Sequence, residues 1–249
     1  MDCSGRGSQV ATWLAGFGFP DVEVVRNEAN IHYTTRRFRR TPPQQGAPLA
    51  SVVIASPDLP SGAGGVAVAQ EDNGWVVTLA GRNATRPPTD LEEFTAYTSR
   101  LEAPDIFEIV RLATPIDDGA TYNFPMSQWR RFERMDPFPE GMLPFADAIC
   151  SFNPAYGQGM SVAAIEAEAL DQILDGGMDR LVPRFFKAVL PAITAAWDLV
   201  ASSDRPYSTK PAPRPLPGRI IDWYVDKLLV AAQRDAVVSD AFHRVADLV

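Results

Sequence analysis

Along the first eighty residues the apolar positions change their period. In "SQVATWLAG", Val10, Trp13 and Leu14 share one side of a helical turn, and Gly16 stands where a helix would end. In "ANIHYTTRRF" the period drops to two. Ile31, Tyr33 and Thr35 alternate with His32, Thr34 and Arg36 among dense β-branched and aromatic residues, which predicts a strand. "ASVVIAS" (Ala50–Ser56), "GGVAVAQ" and "GWVVTLAG" predict three more, and "EDN" between the last two predicts a hairpin. "TPPQQGAP" and "SGAGG" (Ser61–Gly65) read as loops. Four strands so close together imply an antiparallel sheet, one face buried and the other free to cover something.

Beyond Pro87–Pro88 the period becomes helical. "TDLEEFTAYTSRL" carries Leu91, Phe94, Tyr97 and Leu101 at helical spacing, with Thr89 and Asp90 as candidate caps, and "APDIFEIVRLA" is a second helix behind Pro104. Ala120 to Pro139 reads as irregular and rich in aromatic and arginine residues, including Trp129, Arg130 and Phe132. Met142 to Phe145 is a short buried strand ending at an acid. Then Ala163, Ala164, Ala167, Leu170 and Leu174 form one helical stripe, stopped at Gly176–Gly177. "PRFFKAVLPAITAAWDLVAS" is a helix interrupted at Pro191, "YSTKPAPRPLPG" a connector, and Gly218–Arg234 and Ala236–Val249 close the chain as amphipathic helices.

Composition narrows the function. With 249 residues and 46% apolar content the chain can bury a core as one large or two small domains. A net charge of −8 argues against a nucleic-acid or anionic-membrane surface, and the basic run "RRFRR" (Arg36–Arg40) is expected on a solvated edge. Cys3, Cys150, His32 and His243 supply neither a disulfide framework nor a metal set. No leader and no apolar run of membrane length is present, so the expected location is the cytoplasm, without an integral membrane span.

The stretch "ADAICSFNPAYGQGMSVAAIEAEAL", Ala146 to Leu170, carries the candidate chemistry. A helix leaves its first N–H groups without internal partners and carries partial positive charge at that end. Gly157 and Gly159 would open that end to a ligand, Pro154 would stiffen the entry, and Asp147 would point into the crevice where α/β sheets bind ligands. Acid and amides together suit a ligand with hydroxyls on one side and a polarisable carbonyl on the other. By spacing alone, a plain tight corner fits the same residues equally well.

"ADAICSFNPAYGQGM" resembles the Gly-Asp-x(6)-Pro-x-x-Gly-x-Gly-Met signature of FAD-dependent monooxygenases and oxidoreductases of the para-hydroxybenzoate hydroxylase superfamily, in the bacterial branch related to squalene epoxidases. "DCSGRGS" (Asp2–Ser8) resembles the Asp-x-x-Gly-Arg-x-Ser motif of that superfamily. The resemblance implies that Asp147 binds a ribityl hydroxyl. It also implies that the backbone at Gly157, Gln158, Gly159 and Met160 faces the flavin N1–C2=O edge, and that Asp2, Gly5 and Arg6 lie near the pyrophosphate. It implies an α/β (α+β) fold: an incomplete FAD-binding Rossmann-like domain, an antiparallel substrate-domain sheet and C-terminal helices. The segments would be 1–20 as a remnant of the FAD domain, 21–125 as the substrate-type sheet, 126–178 as the FAD-binding strand–turn–helix and 179–249 as a helical region.

The implied activity is that of a monooxygenase using FAD, with NAD(P)H as reductant, through a flavin hydroperoxide. Its substrate would be an aromatic, polyketide or isoprenoid-type small molecule, with His32, Tyr33 and Arg37 as substrate-facing candidates. A flavin-dependent reductase of isoprenoid double bonds shares the glycine pattern, whereas no Trp-x-Trp-x-Ile-Pro stretch points to a halogenase. Two departures stand out: Ala146 replaces the usual Gly, and no Gly-x-Gly-x-x-Gly segment precedes Asp2. The chain therefore reads as truncated, expected to bind FAD weakly or not at all in isolation. The alternative is a non-catalytic remnant that binds an apolar small molecule, or a subunit partnered by a separate nucleotide-binding chain.

Overall fold

The computed structural model describes residues 1–44, 50–53, 62–208, 216–232 and 234–246. The expected connector after Tyr207, Ser61, the end of the "TPPQQGAP" loop and Ile54–Ser56 of the second strand lie wholly or mainly outside these residues. The chain divides into two compact units: Met1–Asn27, Met126–Arg205 and Lys210–Val249 form one, Glu28–Pro125 and Pro206–Thr209 the other.

The second unit is built on the predicted sheet. Strands β1 (Val24–Arg39), β2 (Ala50–Val53), β3 (Gly64–Gln70) and β4 (Gly74–Arg82) are antiparallel neighbours in the order β2-β3-β4-β1. The register Thr34↔Leu79, Arg36↔Val77 and Phe38↔Trp75 places these residues on one face, and Tyr33↔Ala80, Thr35↔Thr78 and Arg37↔Val76 on the other. Phe38, Ala67, Trp75, Val77 and Leu79 pack under Phe94 of helix α2 (Leu91–Thr98) and Ile106 and Val110 of α3 (Asp105–Leu112). Each large side chain removed from water here contributes about 1.5–3 kcal/mol. Asp90 caps α2, accepting from Glu93 N–H at 3.0 Å.

The basic run departs from expectation. Short β5 (Thr114–Pro115) pairs with the end of β1, so Arg36–Arg40 does not form an open edge. Arg36 is 5% exposed and donates to the carbonyls of Thr89, Asp118 (3.2 Å) and Asp117 (2.6 Å). A guanidinium whose two terminal nitrogens are bonded by carbonyls is accommodated inside, although its Nε stays unpartnered, while Arg37 and Arg39 on the alternate face are exposed.

Residues expected to be irregular form strand β6 (Ala120–Arg130), which continues to Met126–Arg130 in the first unit and there pairs antiparallel with β7 (Cys150–Ser151). Pro125, which donates no N–H, and the polar Asn123, Ser127 and Gln128 hide its period. The expected strand Met142–Phe145 is reduced to one parallel bridge between Pro144 and Asp2.

The first unit packs α1 (Val10–Gly16), α4 (Gln158–Leu174) and α5 (Leu181–Asp204) around Trp129, Phe132, Ile149 and Cys150. Along α5, Val182, Phe185, Val189, Ile193, Ala196 and Val200 form the buried stripe. Pro191 does not interrupt this helix: it lies on the exposed side. Helix α5 is long and apolar enough by composition to cross a membrane, yet its apolar stripe is spent on this core. Helices α6 (Leu216–Ala232) and α7 (Ala236–Ala246) follow.

Candidate functional site

Three stretches, the first of them far from the other two in sequence, meet in the first unit at Asp147. The first is the loop Asp2–Ser8. Its backbone is drawn alongside Leu143–Phe145 by Asp2 N–H on Leu143 O (2.7 Å) and Phe145 N–H on Asp2 O (3.0 Å). The Asp2 carboxylate is engaged within its own loop, accepting from Ser4 N–H at 3.0 Å and Ser8 Oγ at 2.6 Å. Partial burial opposes its ionisation, but the bonds from Ser4 and Ser8 prevail and hold its pKa below the usual value. Gly5 turns the loop at φ +75, and a Cβ there would lie 4.0 Å from Asp147 Cβ. Arg6 donates to Ser151 Oγ at 2.9 Å.

The second is the 3-10 turn Ala146–Ala148, which carries Asp147. Among the described residues no donor within the protein bonds the Asp147 carboxyl. Burial raises its pKa, and the Arg6 guanidinium offsets part of the rise.

The third is the corner Asn153–Gly159. Asn153 Oδ1 accepts from Ala155 N–H at 3.1 Å and Asn153 Nδ2 donates to the buried Asp204 at 2.9 Å. Tyr156 donates its hydroxyl to the same Asp204 oxygen at 2.7 Å, so α5 braces the corner. Gly157 is left-handed at φ +68 with open space where a Cβ would stand, and no side chain caps α4. A Cβ on Gly159 would sit 3.5 Å from Asp147 Oδ1. Pro154 and Met160 are exposed, while Gln158 is buried and donates to Tyr156 O at 3.0 Å.

Residues outside the motifs hold this arrangement. Arg130, 8% exposed at the end of β6, donates to Arg6 O (2.7 Å) and Ala148 O (3.0 Å), tying the first loop to the turn. Gln128 adds a bond to Arg6 O at 3.1 Å. Burial, with Arg6 nearby, lowers the Arg130 pKa. Glu166 of α4 accepts the Ala146 N–H. The signal for Arg130 is its place on the inward side of a strand that the sequence pattern conceals.

His32, Tyr33 and Arg37 belong to the other unit. His32 bonds Asn83 O (3.1 Å) and Arg86 (3.1 Å). Tyr33 stacks on Tyr122 with centroids 6.4 Å apart, and Arg37 pairs with Asp117 at 3.2 Å. Among the described residues no group of three His, Cys, Asp or Glu side chains is placed to hold a metal.

A half-buried acid that no donor among the described residues bonds, a helix N-terminus opened by glycines and a neighbouring guanidinium can together accept a hydroxyl, face an electron-rich carbonyl edge and balance a phosphate. Open space beside Gly157, and the bare backbone of Gly5 and Gly159 next to Asp147, keep the approach to this carboxyl clear, so the donor set fits a ligand with a hydroxyl, a carbonyl edge and a phosphate such as a flavin dinucleotide.

No protein-family model matches the chain. It is similar to Protein Rv3254 of Mycobacterium tuberculosis, 29% identical over 250 aligned positions, covering 98% of this chain and 52% of that protein. Among solved structures it resembles the Diels-Alderase PyrE3 of pyrroindomycin biosynthesis (TM-score 0.56, 16% identity, 98% of this chain and 48% of that one). It also resembles the flavin-dependent brominase Bmp2 (0.54, 13%, 99% and 56%) and Klebsiella pneumoniae HpxO complexed with FAD and uric acid (0.51, 13%, 98% and 55%). The chain thus spans about half the length of each. At such identities the likeness establishes the fold, a mixed α/β (α+β) architecture shared with flavin-dependent proteins.

Proposed function

We propose that the chain is the flavin-facing part of a FAD-dependent oxidoreductase, and within that class of a monooxygenase acting on an aromatic, polyketide or isoprenoid-type small molecule with NAD(P)H as reductant. The observation that supports this is the meeting of Asp2–Ser8, Ala146–Ala148 and Gly157–Gly159 at one carboxyl, Asp147, in a single unit. Asp147 would accept a ribityl hydroxyl. The N–H groups at Gly157–Gly159 would face the N1–C2=O edge, and Gly5 and Arg6 would lie on the pyrophosphate side. Bound FAD supplies the redox chemistry. The protein's part is to bind, to orient and to exclude water. Tyr33 and Arg37 share the open face of the second unit's sheet with Thr35 and Thr78, a surface suited to a partly polar ring system.

Titration of FAD with the protein, followed through the flavin absorbance bands, tests this. The expected result is weak, saturable binding that Asp147→Ala weakens about ten- to a hundredfold, the loss of one charge-assisted hydrogen bond. Absence of saturable binding, or an Asp147→Ala variant that binds as the wild type does, overturns it.

A further inference from the structure

Glu166 lies mid-way along α4, 1% exposed, on a face otherwise occupied by Val162 and the partly buried Ala169, Leu170 and Ile173. Oε2 accepts the Ala146 N–H at 2.7 Å, while Oε1 is buried without a hydrogen-bond partner. The peptide it holds belongs to a residue in the left-handed region (φ +51), immediately before Asp147. Two carboxyls thus flank one strained peptide, Asp147 half-buried beside Gly159 and Glu166 sealed inside.

Among the described residues, the groups around Glu166 leave it unneutralised. From the turn it meets Asp147, a like charge. From β7 it meets Cys150, whose thiol burial pushes well above its usual pKa, with Glu166 and Asp147 adding to the rise. From α5 come the apolar Phe185, Val189 and Ile193. Lys187 on that helix is exposed, and Arg184 bonds the carbonyls of Ile173, Gly177 and Asp179. Arg6 acts on Asp147.

We propose that Glu166 is the positioning residue of Asp147: as a neutral acid it fixes the Ala146 peptide and leaves Asp147 as the single negative charge of the pair, and on ionising it weakens the hold of Asp147 on a hydroxylated ligand. Burial, opposed by the Ala146 N–H and reinforced by Asp147, brings Glu166 up to about 7, so the change falls near neutral pH. The sign follows directly. Below that value Glu166 is protonated and Asp147 carries the pair's one charge; above it the buried Glu166 carboxylate adds negative potential behind the half-buried Asp147, repels an anionic ligand, and binding falls. Identifying the ligand as FAD rests on the proposed function, whereas the pairing itself does not.

Two measurements separate these. In ligand-free protein, the Ala146 and Asp147 amide resonances followed from pH 5 to 9 are expected to show a transition near neutrality that Glu166→Gln abolishes. FAD affinity of the wild type is expected to fall about five- to tenfold from pH 6 to 8.5. Glu166→Gln, which keeps an acceptor for the Ala146 N–H but cannot ionise, should stay flat and match the wild type at pH 6. If Glu166→Gln does not fold, the buried carboxyl C=O stretch of wild type in infrared difference spectra must disappear through the same pH range. Absence of the transition in wild type, or its persistence in Glu166→Gln, overturns the assignment. A transition present and lost on substitution, with no FAD binding at any pH, supports the pairing and rejects the flavin.

Discussion

At Ala146 the backbone takes φ +51, where the Cβ of an L-residue crowds the following carbonyl at a cost of about 1–2 kcal/mol. The strain persists because Glu166 accepts the Ala146 N–H and because Ile149 N–H closes the turn on Ala146 O at 2.8 Å. Glycine would adopt the same angles freely, although it also gains freedom in the unfolded chain. The relief of the left-handed strain is the larger effect. Ala146→Gly is therefore expected to raise stability by about 1 kcal/mol, seen as a rise of about 2–4 °C in thermal midpoint. A fall in midpoint would mean that the Ala146 methyl packs favourably enough to outweigh its backbone.

Among the elements, Arg130 links β6 to the site, because its guanidinium bonds the carbonyls of Arg6 and Ala148 at once. Arg130→Ala takes the guanidinium from the buried Ala148 carbonyl and leaves Arg6 O with Gln128 alone, and is expected to cost about 1–3 kcal/mol in urea unfolding, with weaker FAD binding as loop and turn separate. Unchanged binding in a folded Arg130→Ala would show that the loop holds its place without the clamp.

The legibility of these elements followed the chemistry of their periods. β1, β3, β4, α2 and α3 announced themselves because each buries one apolar face, and the Asp147–Gly159 corner because glycines and a proline punctuate it. β6 was illegible because Pro125 and polar residues break its alternation. Arg36 and Glu166 were hidden for a related reason: charged side chains imply solvent, and only the assembled structure supplies the carbonyls and the N–H that let them be buried. The Ala163–Ala167 stripe failed likewise. Ala164 and Ala167 are exposed, and α4 turns Val162 and Glu166 inward instead.

At the scale of the whole chain, each unit carries its own apolar cluster. Trp129, Ile149, Val162, Phe185 and Ile193 belong to one, and Phe38, Trp75, Leu79, Phe94 and Ile106 to the other. The candidate cofactor residues all fall in the first, so damage to the second core should leave their geometry in place. Phe38 is fully buried and meets Phe94 at 6.1 Å between ring centroids. Phe38→Ala is expected to destabilise by about 3–5 kcal/mol, the transfer cost plus a cavity that a sheet can only partly close. Hydrogen exchange followed by mass spectrometry should show the loss as faster exchange across β1, β3 and β4, with α4 and α5 retaining wild-type protection. Uniformly faster exchange in both units would instead show that the two cores unfold as one, and a surface substitution in the sheet would then reach Asp147 through stability alone.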